Sequence, residues 1–203
     1  MGIFLALLHH PVLNRTGVVG TTSVTNVDLH DLARAGRTYG VERFFVVTPV
    51  SLQQELVGRV IRHWTEGSGS ERVPPRAQAF GITEVAPSLE AAEQRIAEIT
   101  GQAPVIAVTG AGFREGTTPF DQVGARFRSS TEPLLVLFGT GYGLAPDVVA
   151  RAQIRLPAIL GSAPDGYNHL SVRAAAIVVL DRLLGDAPSL APAQPSSENE
   201  STP

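Results

Sequence analysis

The stretch that decides the fold lies at residues 133–185 and opens with Leu134-Leu-Val-Leu-Phe138, followed by the turn Gly139-Thr-Gly-Tyr-Gly143. Five apolar residues before a glycine-rich turn indicate a buried strand that ends at a ligand-binding loop, because small residues let a ligand approach the backbone. A helical pattern follows, then a short apolar run at 154–157, then Tyr167-Asn-His-Leu-Ser-Val-Arg173 at the start of an alanine-rich helix. Two small-residue loops and a polar cluster at a helix start together predict a site for a small ligand.

Outside this stretch, short apolar runs alternate with patterns of helical periodicity. Such alternation predicts an α/β fold with a parallel sheet and helices on both faces. Asn26 is a suitable N-cap for the first helix, as are Ser88 and Ser171 for two later ones. Residues 66–76, rich in Gly, Ser and Pro, are predicted to form a mobile surface loop. The predicted strands are 3–8, 44–48, 79–86, 105–109, 134–138 and 154–156, and the predicted helices are 27–40, 51–64, 88–100 and 119–127.

The composition predicts one globular domain over residues 1–185 and a disordered tail over 186–203. Of 203 residues, 43% are hydrophobic and 17% charged, whereas the tail is rich in Pro, Ser and Glu. The chain has no cysteine and its five histidines show no metal-ligand spacing, so we expect neither a disulfide nor a bound metal. No run approaches the ~18 apolar residues that span a membrane, so we expect a cytoplasmic protein.

The charge distribution argues against strong non-specific binding of nucleic acid. The 16 basic residues, all arginine, and the 19 acidic residues give a net charge of −3. Three of the acids, Asp186, Glu198 and Glu200, lie in the tail, which leaves the body of the chain neutral. Non-specific binding depends on many phosphate contacts, which a neutral body does not favour.

The glycine turn is compatible with more than one ligand class. A dinucleotide site, and with it an NAD-binding oxidoreductase, is the less favoured alternative. The spacing is G-x-G-x-G rather than G-x-G-x-x-G, and the turn follows the fifth strand rather than the first. A phosphate-binding P-loop is excluded because the chain has no lysine. Asp165, His169 and Ser171 have the side chains of a hydrolase triad, but His169 and Ser171 are two residues apart and diverge.

Two segments together resemble a known enzyme class. Phe138-Gly-Thr-Gly-Tyr-Gly-Leu144 and Gly166-Tyr-Asn-His-Leu-Ser-Val-Arg-Ala-Ala175 are similar to the SPOUT, or α/β-knot, class of RNA methyltransferases, which use S-adenosylmethionine (SAM). The most similar group is a bacterial subfamily related to the tRNA guanine-N1 enzymes. A third segment, residues 26–41, resembles the first motif of the ribose-methylating branch, with Arg34 followed by Gly40-Val41. Asp28 stands where that branch has Asn, so base methylation is favoured over ribose 2′-O methylation.

The resemblance implies a cofactor site made of three loops, a deep trefoil knot in the C-terminal third of the chain, and a homodimer that shares its substrate sites. The knot could not be inferred from periodicity, because true knots are very rare. Carried over by position, the cofactor-binding residues are Thr109, Gly110, Phe138, Gly139, Thr140, Gly141, Tyr142, Gly143, Leu156, Pro157, Tyr167, Asn168, Leu170 and Ser171.

The resemblance also supplies candidates for catalysis and for RNA binding. Arg34 could hold a phosphate or activate the attacking group, or it could form only an ion pair with Asp31. His169 is the first candidate for proton transfer, or it could make a structural hydrogen bond. Arg173 could pair with an RNA phosphate or the cofactor carboxylate, and Asp165 is a weaker base. The candidates for holding RNA are Arg34, Arg37, Arg59, Arg62 and Arg173.

The sequence therefore predicts a SAM-dependent methyltransferase that acts on tRNA or rRNA. A catalytically silent, SAM-binding interaction protein with the same fold is the alternative from a different functional class.

Overall fold

The structure is a computed structural model that describes residues 2–185, so the predicted tail, 186–203, lies outside the described residues. In chain order the strands are β1 (Ile3–Leu8), β2 (Val12–Leu13), β3 (Val19–Gly20), β4 (Arg43–Val47), β5 (Thr83–Ala86), β6 (Val105–Val108), β7 (Leu134–Gly139) and β8 (Ile154–Arg155). The helices are α1 (Asn26–Thr38), α2 (Ser51–Thr65), α3 (Ser68–Arg72), α4 (Pro74–Phe80), α5 (Leu89–Thr100), α6 (Phe120–Arg128), α7 (Pro146–Arg151) and α8 (Val172–Leu184).

Six strands form one parallel sheet in the order β5-β4-β1-β7-β6-β8, and β2 and β3 form a separate antiparallel hairpin. The two central strands, β1 and β7, are apolar and buried along their length. A strand covered by helices on both faces needs apolar side chains in both directions, which explains their continuous rather than alternating pattern. The predicted parallel sheet is confirmed.

The core has two layers, one on each face of the sheet. Residues of α1, α2, α4, α6 and α8 pack on one face, and residues of α5 and α7 pack on the other. The predicted arrangement of helices on both faces is therefore confirmed. No helix within residues 2–185 is long and apolar enough to cross a membrane.

The prediction of a mobile surface loop over residues 66–76 is wrong, because this segment contains α3 and the start of α4. Pro74 and Pro75 occupy the first positions of α4, where proline lacks only an N–H that the helix would leave unpaired. Gly69 is buried, and a Cβ there would lie 2.7 Å from the Trp64 ring. The glycine thus permits close packing, which composition alone cannot distinguish from flexibility.

Two element boundaries also differ from the prediction. The strand predicted from residue 79 begins at Thr83, because Ala79 and Phe80 are the buried last turn of α4. The N-cap of α1 is Thr25 rather than Asn26, and the Thr25 side chain accepts a hydrogen bond from the Asp28 N–H.

Candidate functional site

Three loops leave the same edge of the sheet. Strands β7, β6 and β8 are parallel neighbours, so the segments that follow them all start at the carboxyl-terminal edge, where open α/β sheets bind ligands. We call residues 109–119 the β6 loop, residues 140–145 the glycine turn and residues 156–171 the β8 loop. These three loops carry the predicted cofactor-binding residues, except Phe138 and Gly139, which end β7.

The β6 and β8 loops are joined by backbone hydrogen bonds. The Ala158 N–H donates to the Phe113 carbonyl at 3.0 Å, and the Thr118 N–H donates to the Arg155 carbonyl at 2.8 Å. The Thr109 hydroxyl donates to the Leu137 carbonyl of β7 at 2.9 Å. The first of these bonds joins the two loops, and the other two tie the β6 loop to strands β8 and β7. Leu156 is fully buried at its base, Pro157 is half-buried, and Gly110 packs beside the Phe113 ring.

The glycine turn is held by the first part of the chain. The Thr140 N–H and hydroxyl both donate to the Leu8 carbonyl, at 3.2 and 2.9 Å. The Tyr142 N–H donates to the Leu13 carbonyl at 2.9 Å, and the Leu13 N–H donates to the Gly143 carbonyl at 2.8 Å. The Thr140 and Tyr142 N–H groups are therefore already paired with protein carbonyls.

Two different physical reasons, close packing and a positive φ, explain the glycines at positions 139, 141 and 143. At Gly141, φ is +60° and a Cβ would lie 2.8 Å from the Leu13 carbonyl oxygen, so packing and conformation both require glycine. At Gly139 a Cβ would lie 2.7 Å from the Leu144 nitrogen. Gly143, by contrast, has no atom within 4 Å of the position of its missing Cβ. Of these three glycines, only Gly143 has open space beside its Cα, although its N–H and carbonyl are both hydrogen-bonded to the protein.

The shape of the β8 loop is set by its own polar side chains. The Gly161 N–H donates to Oδ1 of Asn168 at 2.8 Å, and Nδ2 of Asn168 donates to the Ile159 carbonyl at 2.9 Å. The Asp165 carboxylate accepts from the Tyr167 N–H at 3.0 Å. Asn168 and Asp165 thus have structural roles that the sequence did not reveal.

Several large side chains around the three loops are exposed. The exposed fraction is 65% for Tyr142, 64% for Tyr167 and 52% for Leu170. The Tyr167 and His169 rings lie 5.6 Å apart between centroids. Phe138, at the end of β7, is buried. The loops thus combine a buried apolar base with exposed apolar and aromatic groups, which suits a ligand with a planar apolar part.

Ser171 and Arg173 fix the start of α8. The Ser171 hydroxyl accepts from the Ala174 N–H, as predicted for an N-cap. The Arg173 guanidinium pairs with the buried carboxylate of Asp28 at 3.1 Å and with Asp31 at 3.3 Å. Asp31, which was suggested as the ion-pair partner of Arg34, therefore pairs with Arg173 instead. The suggested pairing of Arg173 with a phosphate or a cofactor is replaced by an internal role.

The two catalytic candidates are exposed and lie on different elements. Arg34 is on α1 and forms no salt bridge among residues 2–185, and His169 is on the β8 loop. No hydrogen bond or ion pair in the described part of the chain joins them. A single chain thus leaves Arg34 and His169 available but unconnected.

A buried histidine, His9, lies beside the glycine turn. His9 is fully buried, and its Nδ1 lies 3.0 Å from the Thr22 hydroxyl, which lies 2.5 Å from the Thr140 hydroxyl. The Thr140 hydrogen goes to the Leu8 carbonyl, so Thr22 donates to Thr140 and accepts from His9 Nδ1–H. Nε2 of His9 then carries the lone pair, and it has no partner among the described residues.

Burial lowers the pKa of His9 to about 4, and the nearby Asp28 carboxylate offsets part of this effect. His9 is therefore neutral at physiological pH. In the sequence, His9 directly follows the six apolar residues Ile3–Leu8. This position predicts that His9 is buried, but it does not predict that Thr22 is its hydrogen-bond partner.

A cavity of about 360 Å³ lies near the same edge of the sheet but outside the three loops. It lies beside the starts of α5 and α7, and its lining residues include Pro49, Ser88, Asp147 and Arg151. Within residues 2–185 no group of three or more His, Cys, Asp or Glu side chains could hold a metal ion.

Comparison with known proteins gives the family. A profile of a family described as SAM-dependent RNA methyltransferase matches residues 2–185. The chain is 42% identical over 184 residues to a tRNA (guanine-N(1)-)-methyltransferase of Nitratidesulfovibrio vulgaris, which covers 91% of this chain and 42% of that protein. It is 32% identical over 181 residues to an uncharacterized protein of Aquifex aeolicus, which covers 89% of this chain and 87% of that protein.

The chain thus spans less than half the length of the named tRNA methyltransferases that it matches. Its fold is similar to that of the SpoU methyltransferase AviRb from Streptomyces viridochromogenes, with a TM-score of 0.54 and 15% identity over 91% of this chain and 59% of that one. The resemblance to the SPOUT class that the two C-terminal motifs suggested is confirmed. The chain belongs to the family of SAM-dependent RNA methyltransferases.

Proposed function

We propose that this protein binds SAM between the β6 loop, the glycine turn and the β8 loop and methylates RNA, with a tRNA base as the favoured acceptor. The observation that carries the proposal is the meeting of these loops at one sheet edge in a chain that matches the family over residues 2–185. The tRNA base is favoured because two relatives carry the name tRNA (guanine-N(1)-)-methyltransferase.

The residues at the site fit such a cofactor. Gly143 leaves open space beside its Cα, and Leu156 and Pro157 form an apolar base beneath the β8 loop. Tyr167 and Leu170 are exposed above that base and are free to cover a planar adenine. Thr109 and Asn168 hold the surrounding loops in shape through the hydrogen bonds described above.

The chemistry divides between the cofactor and the chain. When bound, SAM would supply an electrophilic methyl group on a sulfonium sulfur. The chain must align the RNA base with that methyl group and accept the proton that an N–H nucleophile loses. We assign proton acceptance to the His169 imidazole and the holding of an RNA phosphate to Arg34.

We also propose a homodimer in which Arg34 of one protomer completes the site of the other. The support is that Arg34 and His169 are exposed but unconnected within one chain. Exposed apolar side chains near the site provide a surface for association: Tyr142, Leu160, Tyr167, Leu170 and Ile177. Light scattering at micromolar concentration should give the mass of a dimer, and a monomer would contradict the shared site.

The deep trefoil knot belongs to the same proposal. Strand β8 lies at the edge of the sheet, yet the next helix, α8, packs on α1, α6 and the central strand β7. The β8 loop must carry the chain back from the edge, and we propose that it does so through the loop that precedes β7.

One titration tests the cofactor and a second assay tests the reaction. Calorimetry with S-adenosylhomocysteine (SAH), with NAD as the control ligand, should show binding of SAH alone. Transfer of a labelled methyl group to unfractionated bacterial tRNA should then require Arg34, whereas Arg34→Ala should leave SAH binding unchanged. Binding of NAD alone would refute the proposed site. SAH binding without transfer to any RNA would favour the catalytically silent protein.

A further inference from the structure

A cluster of aromatic and basic side chains lies where α1, α2 and α4 pack together, and the proposed site does not use it. The Trp64 ring of α2 stacks on the buried Phe80 ring of α4 at 6.2 Å between centroids. His30 of α1 contacts both rings edge-on, at 5.5 Å from Trp64 and 4.9 Å from Phe80. His63 packs edge-on against Trp64 at 4.9 Å. The indole is therefore fixed on several sides.

Arg76 is held over this cluster with its hydrogen-bond donors unused. Its guanidinium carbon lies 4.8 Å from the centroid of the Trp64 ring, a cation–π contact. Within residues 2–185 Arg76 makes no salt bridge and no side-chain hydrogen bond. A guanidinium that is stacked but unpaired keeps its five N–H donors and has already lost much of its conformational freedom. Arg76 is thus positioned for an anion.

The charge around the cluster is positive. Burial lowers the pKa of His30, and the charges of Arg76, Arg34 and His63 lower it further, while Asp31 raises it. Arg34 follows His30 by one helical turn on α1. The guanidinium groups of Arg76 and Arg34 therefore lie close enough to this imidazole to oppose its protonation.

Nearby carboxylates do not neutralise this charge. Asp28 and Asp31 of α1 pair with Arg173, and Glu55 of α2 pairs with Arg59 at 2.6 Å. In α1 to α4 and the joining residues 66–73, five arginines lack a salt bridge within residues 2–185, but only two carboxylates do. The arginines are Arg34, Arg37, Arg62, Arg72 and Arg76, and the carboxylates are Glu66 and Glu71.

We propose that this surface, the Trp64 patch (His30, His63, Trp64 and Arg76), docks the phosphate backbone of the RNA that the protein methylates. Guanidinium groups without a carboxylate partner suit phosphate, and such contacts position a nucleic acid rather than specify its sequence. The inference rests on the proposed function and adds the surface that orients the RNA.

The patch is connected to the proposed site through α1. His30 lies two residues after Asp28, which holds Arg173 close to the end of the β8 loop. RNA on the patch would therefore extend along α1 toward the loops that hold the cofactor. Because the body of the chain is neutral, this local excess of positive charge is what can retain RNA.

Arg76→Ala tests the docking surface, with Arg182→Ala as the matched control. Arg182 also lies over an aromatic ring, Phe120, at 5.4 Å and has no salt bridge in the described part of the chain, but it is on α8. Binding of unfractionated bacterial tRNA should be measured by filter retention between 50 and 200 mM salt, which are about the limits between which phosphate contacts change affinity most visibly. Thermal unfolding of each variant verifies that it is folded.

We expect Arg76→Ala to weaken tRNA binding by roughly 3- to 10-fold at low salt and to reduce the slope of log Kd against log salt by about 0.7 to 1. Trp64→Leu should weaken binding in the same direction, because Arg76 keeps its charge but loses its support. Arg182→Ala should match the wild type. Equal affinity and slope for Arg76→Ala and wild type would overturn the docking surface, as would a wild type that binds no tRNA.

Two further measurements separate this inference from its foundation. SAH affinity should be the same in wild type and Arg76→Ala. Failure of the wild type to bind SAH, with a tRNA defect still present in Arg76→Ala, would refute the proposed methylation but support the docking surface. Binding of poly-glutamate that Arg76→Ala abolishes, with tRNA binding unchanged, would overturn the RNA assignment in favour of an acidic protein partner.

Discussion

The Thr22 side chain is hydrogen-bonded to Thr140 of the glycine turn, and Thr22→Val removes this bond with little change in side-chain volume. Its hydroxyl lies 2.5 Å from the Thr140 hydroxyl and 3.0 Å from Nδ1 of His9. Valine cannot donate to Thr140 or accept from His9. The substitution therefore breaks two hydrogen bonds and leaves the Nδ1–H of a fully buried imidazole without an acceptor.

The expected loss follows from these three effects. Each hydrogen bond contributes about 0.5–1.5 kcal/mol to stability, and a buried donor left unpaired costs about 1–3 kcal/mol. Because the effects share the same atoms and overlap, we expect the free energy of unfolding to fall by about 2–4 kcal/mol. Thr140 would also lose its side-chain link to the hairpin region, so SAH binding at the proposed site should weaken as well.

Urea unfolding of Thr22→Val measures the change, with Thr21→Val as the matched control. The Thr21 hydroxyl is on the neighbouring, exposed residue and bonds His10 Nδ1 at 3.1 Å, so its loss should change stability by no more than about 0.5 kcal/mol. Thr22→Ser keeps the hydroxyl and should recover most of the difference. Equal stability of Thr22→Val and Thr21→Val would refute the hydrogen-bond chain and the tautomer assigned to His9.

Three further predictions concern the same edge of the sheet. Burial lowers the folded-state pKa of His9 from 6.5 to about 4, so between these pH values the unfolded chain binds more protons than the folded chain. The free energy of unfolding should therefore fall by about 3 kcal/mol as the pH drops from 6.5 to 4. Urea unfolding of His9→Asn over the same pH range should lack this fall. Arg173→Ala leaves the buried Asp28 carboxylate without its cation and should lower the free energy of unfolding by roughly 1–3 kcal/mol. Arg126→Ala removes an exposed ion pair with Glu132 and should lower it by less than about 1 kcal/mol. Equal melting temperatures of the two variants would contradict this prediction. Gly141→Ala should destabilise more than Gly17→Ala in the same urea assay, because both have positive φ but only Gly141 would meet a carbonyl oxygen, at 2.8 Å; a difference near zero would remove the packing argument.

The sheet could be predicted because its signals are local. Ile3–Leu8 and Leu134–Gly139 are apolar along their whole length, which is what a strand buried on both faces requires. The caps Ser88 and Ser171 were also predictable, because an N-cap bonds a backbone group three residues away. Composition alone gave the wrong prediction for the Gly-, Ser- and Pro-rich residues 66–76. They form helices because Gly69 packs against the Trp64 ring and the two prolines begin α4.

The candidate site was only partly predictable, because side-chain pairing is not written in the local sequence. The residues at the three loops could be proposed from the motifs, yet Arg173 pairs with Asp28 rather than remaining free, and Asn168 bonds the β8 loop itself. An arginine in a polar string looks the same whether its partner is an external phosphate or a carboxylate from a distant helix. Only the packing of α1 against α8 decides between them.

The proposed site in the last third of the chain is built on the first thirty residues. Thr140 bonds Leu8 and Thr22 across 132 and 118 positions of sequence, and Arg173 bonds Asp28 across 145. His9 lies between the two systems: it donates to Thr22 and its pKa responds to Asp28. The glycine turn and the start of α8 are therefore each held by polar side chains from the first thirty-one residues. A neutral His9 suits this position, because an imidazolium would have to donate from Nε2, for which residues 2–185 provide no acceptor.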